Sequence, residues 1–431
     1  MAQDQSQTLE EMTTSQLVES ATTLIDAKKW QDAILLLENA RQKQCSSDTC
    51  LEMLADGYSR QKNYDKAISI YMELSGRQPG HAKWFYRLAF QYKMNKESSK
   101  AITAYEKCVQ LYPEWLKAYH ELGKLFESMG SVNEAILVYK NGIKMYKPMN
   151  SNAQKELSSI FSSLSLSAAK LFCEMEPQEA ETLFAASVCS DVSNANALYQ
   201  YGSFLLKSNR PKEAMQPLQK AYELDQSKDY IPHKLAQAYL NMDDPDQALR
   251  VYETIPAHRR TPYIQTGMGK CFQKKGCYKD ALALFYQASK KEPTKGYHFE
   301  HMGIALAALG DKNQAIACLT KCNSLFADEF GKVSSKILTR IEELRNLPHK
   351  QNVNLSDFDE PIPADSRGKI TAYISERGFG FIEDEIDKQK VFFHIKKVKR
   401  GFEPSIGSRV RFLREEGEKG PMASRVWPVS S

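Results

Sequence analysis

No apolar run in the chain reaches the roughly 18 residues that a membrane-spanning helix needs. The opening segment MAQDQSQTLEEMTTSQ has no basic n-region and no apolar h-region, so no secretory leader is read there and a cytoplasmic address is expected. The nine cysteines (Cys45, Cys50, Cys108, Cys173, Cys189, Cys271, Cys277, Cys318 and Cys322) contain no CxxC knuckle and no second ligand pair at zinc-site distance. They are expected as free thiols packed as small hydrophobes. The loops GxxxxGK[ST], GxGxxG, HExxH and GxSxG are all missing. Of the eight histidines, His298 and His301 lie three apart without an evident third ligand. No catalytic constellation, metal, cofactor or small-molecule substrate is therefore expected, and a non-enzymatic role follows.

Net charge is also missing from most of the chain. Residues 1–366 carry 44 basic and 44 acidic groups, whereas residues 367–431 carry 14 and 9. The whole excess of +5 therefore sits at one end, which points to a polyanionic partner there.

What is present first is a repeat. Alanines recur at Ala33, Ala67, Ala101, Ala135, Ala180, Ala214, Ala248, Ala281 and Ala315, at intervals of 33 or 34 except for one of 45. A large residue stands four positions after each (Leu37, Tyr71, Tyr105, Tyr139, Phe184, Leu218, Tyr252, Phe285, Leu319). A small residue stands twelve before each (Ala21, Ala55, Ala89, Gly123, Ala168, Gly202, Ala236, Gly269, Gly303). Pro79, Pro113 and Pro293 close three of the units. The physical reading is two antiparallel helices per unit, small residues allowing close approach and large ones filling the groove. One such hairpin cannot bury its apolar face alone, so units stack into a solenoid. Eleven extra residues around 149–160 lie inside the long interval. They either lengthen a helix by about three turns or break the stack. Residues 328–347 read as a final amphipathic cap.

These units resemble the tetratricopeptide repeat, whose 34-residue period and residue classes recur nine times from about residue 14 to about 323. The resemblance implies a concave face, built from the first helix of each hairpin, that binds an unidentified protein partner. Inward positions of repeats 3 and 4 carry Lys83, Arg87, Lys93, Lys117, His120 and Lys124. Of these, Lys83, Arg87, Lys117, His120 and Lys124 are the candidate groove for an acidic segment, the alternative being a solvated charged face.

After Leu347 the helical spacing stops. PHKQNVNLSDFDEPIPADS, residues 348–366, holds three prolines, four acids and one lysine and reads as an extended linker. From Gly368 the period becomes two, in GKITAYI, RGFGFIEDE, KQKVFFHIK, SRVRFLREE and MASRVWPV. Five short strands predict a small barrel, of the five-stranded OB type. The expected organisation is multidomain: a flexible segment 1–13, an all-α solenoid 14–347, the linker 348–366 and an all-β barrel 367–431. In the second and third strands Phe379, Phe381, Phe392 and His394 share one face. Ile370, Ile382, Val391, Phe393, Val410 and Phe412 supply an apolar core without them. Histidine fits a core poorly, so the aromatic set is expected on a solvent-facing patch beside cations, where single-stranded bases stack.

Residues 367–429 resemble a cold-shock domain, with RGFGFI and VFFHI as its two ribonucleoprotein motifs. The resemblance implies binding of single-stranded RNA, or single-stranded DNA, by Phe379, Phe381, Phe392 and His394, with Phe402 and Tyr373 as further stacking residues. Arg377, Lys369, Lys396 and Lys397 would serve as flanking cations, and the basic run continues to Lys399 and Arg400. Ala372 stands where the family has tryptophan, and Ile395 where it has another phenylalanine, so the face is reduced. The expected whole is a cytoplasmic adaptor with one nucleic-acid module and one protein-binding module. A scaffold whose barrel docks on a protein is the alternative.

Overall fold

The computed structural model describes residues 12–331, 333–358, 366–385, 388–398, 402–417 and 420–428. Nineteen α-helices and five strands lie among them. The helices run α1 Thr14–Asp26, α2 Trp30–Gln42, α3 Asp48–Arg60, α4 Tyr64–Arg77, α5 Ala82–Met94, α6 Ser98–Leu111, α7 Leu116–Ser128, α8 Val132–Tyr146, α9 Ser151–Phe172 and α10 Pro177–Ser190. They continue as α11 Ala195–Lys207, α12 Pro211–Leu224, α13 Tyr230–Asn241, α14 Pro245–Glu253, α15 Pro262–Lys274, α16 Tyr278–Lys291, α17 Gly296–Leu309, α18 Lys312–Phe330 and α19 Ser335–Arg345. The chain divides into two compact units, one ending at Phe204 and one beginning at Leu205.

Within the two units the helices pair consecutively in register with the alanine period, α1 to α10 into five hairpins and α13 to α18 into three. Every one of the nine period alanines is fully buried, and the nine large residues after them are at most 2% exposed. The residue twelve before the alanine is buried in each of the nine repeats of the sequence. Close approach is the reason. A Cβ on Gly123 would sit 2.2 Å from the Tyr139 ring, one on Gly269 2.5 Å from Phe285, and one on Gly303 2.7 Å from Leu319. Pro79, Pro113 and Pro293 each stand two residues past a helix end, where the missing N–H stops propagation. Pro177, Pro211, Pro245 and Pro262 instead open helices, at the first position that tolerates them.

In the unit ending at Phe204, the eleven extra residues resolve into one long helix. Helix α9 has 22 residues, its buried set beginning only at Phe161. Asn150 caps it, and Tyr146 stacks on Phe161 at 3.9 Å between centroids. The insertion thus lengthens a helix at its exposed end.

In the second unit, α19 covers the last hairpin with Ile337, Ile341 and Leu344. The following residues do not form a free tether. Gly310 accepts from the Lys350 amide at 3.1 Å, and the buried Asp311 carboxylate accepts from the Val353 amide at 2.7 Å. Val353, Leu355 and Phe358 pack against the helical core. The stretch expected as an extended linker is therefore laid along the repeats as far as residue 358. Residues 359–365 lie outside the described set, as do 1–11 at the N-terminus.

The strands are β1 Ser366–Ile374, β2 Phe379–Asp384, β3 Lys390–His394, β4 Arg409–Gly417 and β5 Gly420–Pro428. They form a small curled sheet in the order β1-β2-β3-β5-β4, β1 also pairing with β4. The β3–β5 seam is a single parallel pair, Phe392 with Met422. A bulge between Ile370 and Ala372 bends β1. Ile370, Ile382, Val391, Phe393, Val410 and Phe412 are all fully buried. No helix among the described residues is long and apolar enough to cross a membrane.

Candidate nucleic-acid interface

Pairing of β2 with β3 sets Phe379 directly across from His394 and Phe381 across from Phe392. Between them Gly380, Ile382, Val391 and Phe393 point inward, so these four side chains share the outer face and remain partly exposed. The rings are 5.6 Å apart for Phe379 and Phe392, 5.9 Å for Phe381 and Phe392, and 6.5 Å for Phe379 and Phe381. Their planes are tilted or edge-on, which leaves flat faces open to a ligand.

Two glycines make this display possible. Gly380 has the Ala372 carbonyl 2.4 Å and the Phe393 ring 2.6 Å from where a Cβ would stand. Core Phe393 therefore fills the inside beneath the phenylalanines. Gly378 adopts φ +65°, and a side chain there would meet Ile395 at 2.8 Å. That left-handed turn brings the start of β2 against the end of β3.

His394 Nδ1 accepts from the Lys396 amide at 3.2 Å. The neutral ring then carries its proton on Nε2, the nitrogen that this bond leaves free to donate. Lys369, Arg377, Lys396 and Lys397 are exposed, and none of these four has an ion-pair partner among the described residues. Lys399 and Arg400 lie outside the described residues. Tyr373 and Phe402 are placed otherwise than the aromatic trio. Both pack against the buried core, Tyr373 stacked on Phe393 at 5.9 Å and 10°. Ala372 pairs with Phe381 on β1 and leaves the patch low on that side.

The cations of repeats 3 and 4 do not gather into an open basic groove. Lys83 Nζ lies 2.6 Å from Glu52, Arg87 3.5 Å from Asp56 and 3.6 Å from Glu52, and Lys93 2.6 Å from Glu121. Glu52 precedes Lys83 by 31 positions, so the acids arrive from the neighbouring repeat, a partnership invisible within one period. Lys117 lies 5.7 Å over the Tyr86 ring. Burial pushes His120 down to about 4, with Lys124 beside it adding to the shift. Lys124 itself is exposed.

The second unit holds a concave groove of about 990 Å³ that the sequence reading missed. Gln237, Asn241, Tyr263, Lys270, Gln273 and His301 line it, and α19 reaches it with Arg340. These residues recur one, four or five positions after the small residue of a repeat, or two or six before it. That phase was the available signal, but amides and tyrosines carry no charge pattern to reveal it. His298 and His301 do not converge on a ligand. His298 binds Thr266 at 2.8 Å and Glu292 at 3.2 Å, while His301 stacks on Phe285 at 5.2 Å.

Family models agree with both parts of this geometry. The 'Cold-shock' DNA-binding domain matches residues 366–429. Tetratricopeptide repeat models match residues 85–114, 116–148, 205–271 and 300–329. The cold shock-like protein CspA of Vibrio cholerae is 41% identical over 61 residues, 14% of this chain and 87% of that protein. The cold shock protein CspV of the same organism is 36% identical over the same extent. Among solved structures, a tetratricopeptide repeat protein from Parabacteroides merdae is 15% identical, with a TM-score of 0.44, covering 62% of this chain and 99% of that one.

Proposed function

We infer, from a chain that belongs to the cold-shock domain family through residues 366–429 and carries tetratricopeptide repeats before them, that it is an adaptor joining single-stranded RNA to a protein partner. Cold-shock and tetratricopeptide modules are binding and interaction domains, so the activity is recognition. In this reading RGFGFI and VFFHI act as ribonucleoprotein motifs on an OB-type sheet. Bases stack on Phe379, Phe381 and Phe392, and His394 donates from Nε2 to a base edge. Lys369, Arg377, Lys396 and Lys397 meet phosphates, while Tyr373 and Phe402 support the patch from the core side.

One observation carries this reading: three half-exposed phenylalanine rings within 6.5 Å of one another, bordered by cations that have no carboxylate partner among the described residues. Such rings would be costly on a surface with nothing to cover them. The protein partner is assigned to the groove between Gln237 and His301, whose amides suit an extended backbone. Its cytoplasmic residence belongs to the same proposal.

Base stacking is worth roughly 1–3 kcal/mol per ring, so Phe381→Ala or Phe392→Ala is expected to weaken binding of a fluorescent single-stranded RNA by about tenfold. The circular dichroism of the full chain should stay unchanged, and the same titration with DNA sets the preference. Unaltered affinity in both variants would favour a sheet that docks on a protein.

A further inference from the structure

Arg367 of β1 and Arg411 of β4 are direct partners across the antiparallel pair. Their neighbours Ser366, Gly368, Val410 and Phe412 are buried inward, so both guanidinium groups stand on the outer face. Like charges directly opposite each other destabilise a sheet. Here the repeats supply the compensation. The Arg411 guanidinium pairs with the Asp280 carboxylate in the first turn of α16, the two side chains being only 11% and 12% exposed. Arg367 lies 5.2 Å over the Phe272 ring of α15. Glu253, the last residue of α14, has its carboxyl pushed up by burial, and Arg367 is the first charge that opposes the shift. By contrast Arg409, two positions from Arg411 and outward-facing, is 77% exposed.

We propose that this arginine end of the sheet is an intramolecular docking surface, and that its partner is the acidic patch made by Glu253 and Asp280 of the chain's own repeats. A carboxylate in a nearly dry contact offers Arg411 the charge-assisted bond that a phosphate would otherwise offer. The two arginines are thereby reserved for the dock. Along the outer face, the register places Lys369 and Arg409 next, and Ala372, Phe381 and Phe392 beyond them. The aromatic end is thus about 15 Å from the dock, at about 3.3 Å per residue. One end of the sheet anchors it and the other end is presented. The packed segment ending at Phe358 fits this arrangement, because only seven residues of sequence separate it from the start of β1 at Ser366.

Trp427 of β5 pairs with Arg411, and the other three tryptophans, Trp30, Trp84 and Trp115, precede residue 205. The full-length chain labelled with 5-fluorotryptophan therefore gives one fluorine resonance that senses the dock, assigned by its loss in Trp427→Phe. With Asp280→Arg, broadening of that resonance by a neutral gadolinium chelate is expected to rise at least twofold, while the other three stay as they were. Adding Arg411→Glu to Asp280→Arg rebuilds the pair in reverse and is expected to bring the broadening back down. Indifference of Trp427 to Asp280→Arg would overturn the proposal, and so would a double variant as exposed as the single one. Should Asp280→Arg lower the helical circular dichroism, Asp280→Asn replaces it under the same criterion.

Discussion

A methylene decides the packing at several positions. Gly123 touches the ring of Tyr139 so closely that even a Cβ would overlap it at 2.2 Å, and Tyr139 is itself fully buried with its hydroxyl donating to Glu127. Gly123→Ala is therefore expected to destabilise the fold by about 1–3 kcal/mol, as overpacking does, measured as a shift in the urea midpoint at constant slope. Histidines report burial in another way. Burial, the largest cause in each case, holds His120 down to about 4 and His233 and His301 down to about 3. A depressed folded value means that the unfolded chain binds the proton more readily. The stability these sites give is therefore whole above about pH 6.5 and is lost as pH falls towards 4 and then 3. Tm should decline over that window at constant ionic strength, and His233→Gln should flatten the decline.

Elements are joined by caps and straps that composition conceals. Asp311 caps α18 through the Gln314 amide at 3.0 Å while accepting from the Val353 amide at 2.7 Å. Its burial works to raise its carboxyl, yet hydrogen bonds from Val353 and Gln314 keep it below the usual range. Asp311→Ala removes a helix cap and the anchor of residues 348–358 at once. The expected cost is roughly 1–2 kcal/mol, and hydrogen exchange at the Lys350 and Val353 amides should quicken while the α15 amides keep their protection. The long helix α9 shows the opposite case. Its first ten residues contribute nothing to the buried set, so eleven inserted residues change its length without moving its buried face.

Across the whole molecule, charge is partitioned between contacts inside the chain and contacts left for a ligand. Arg411 is engaged with Asp280, and Arg414 is 3.6 Å from Asp384. Lys396 and Lys397 are exposed. On single strands each phosphate contact contributes about −0.7 to the slope of log K against log salt. Changing Lys396 and Lys397 together to Ala should flatten that slope by about 1.4, whereas Arg411→Gln should leave it unchanged. The comparison uses the full chain and one RNA across a salt series.

The repeat and the aromatic face were both legible in the sequence because each is periodic. A small residue, an alanine and a large residue at fixed offsets can satisfy close packing in only one way, and all three classes are buried in all nine periods of the sequence. Alternation at period two likewise placed Phe379, Phe381, Phe392 and His394 together, with Ile382 and Phe393 opposed to them. What the tertiary structure alone decided were partnerships between residues that no local period links. It matched Lys83 with Glu52 of the preceding repeat, turned Tyr373 and Phe402 onto the core, and laid residues 348–358 against the last hairpin. It also set Arg411 of the sheet on Asp280, which lies 131 positions earlier. Pattern fixes which face of an element is apolar, because burial is a property of each residue. The partner of a charge depends instead on which surfaces meet, and only the folded chain brings those surfaces together.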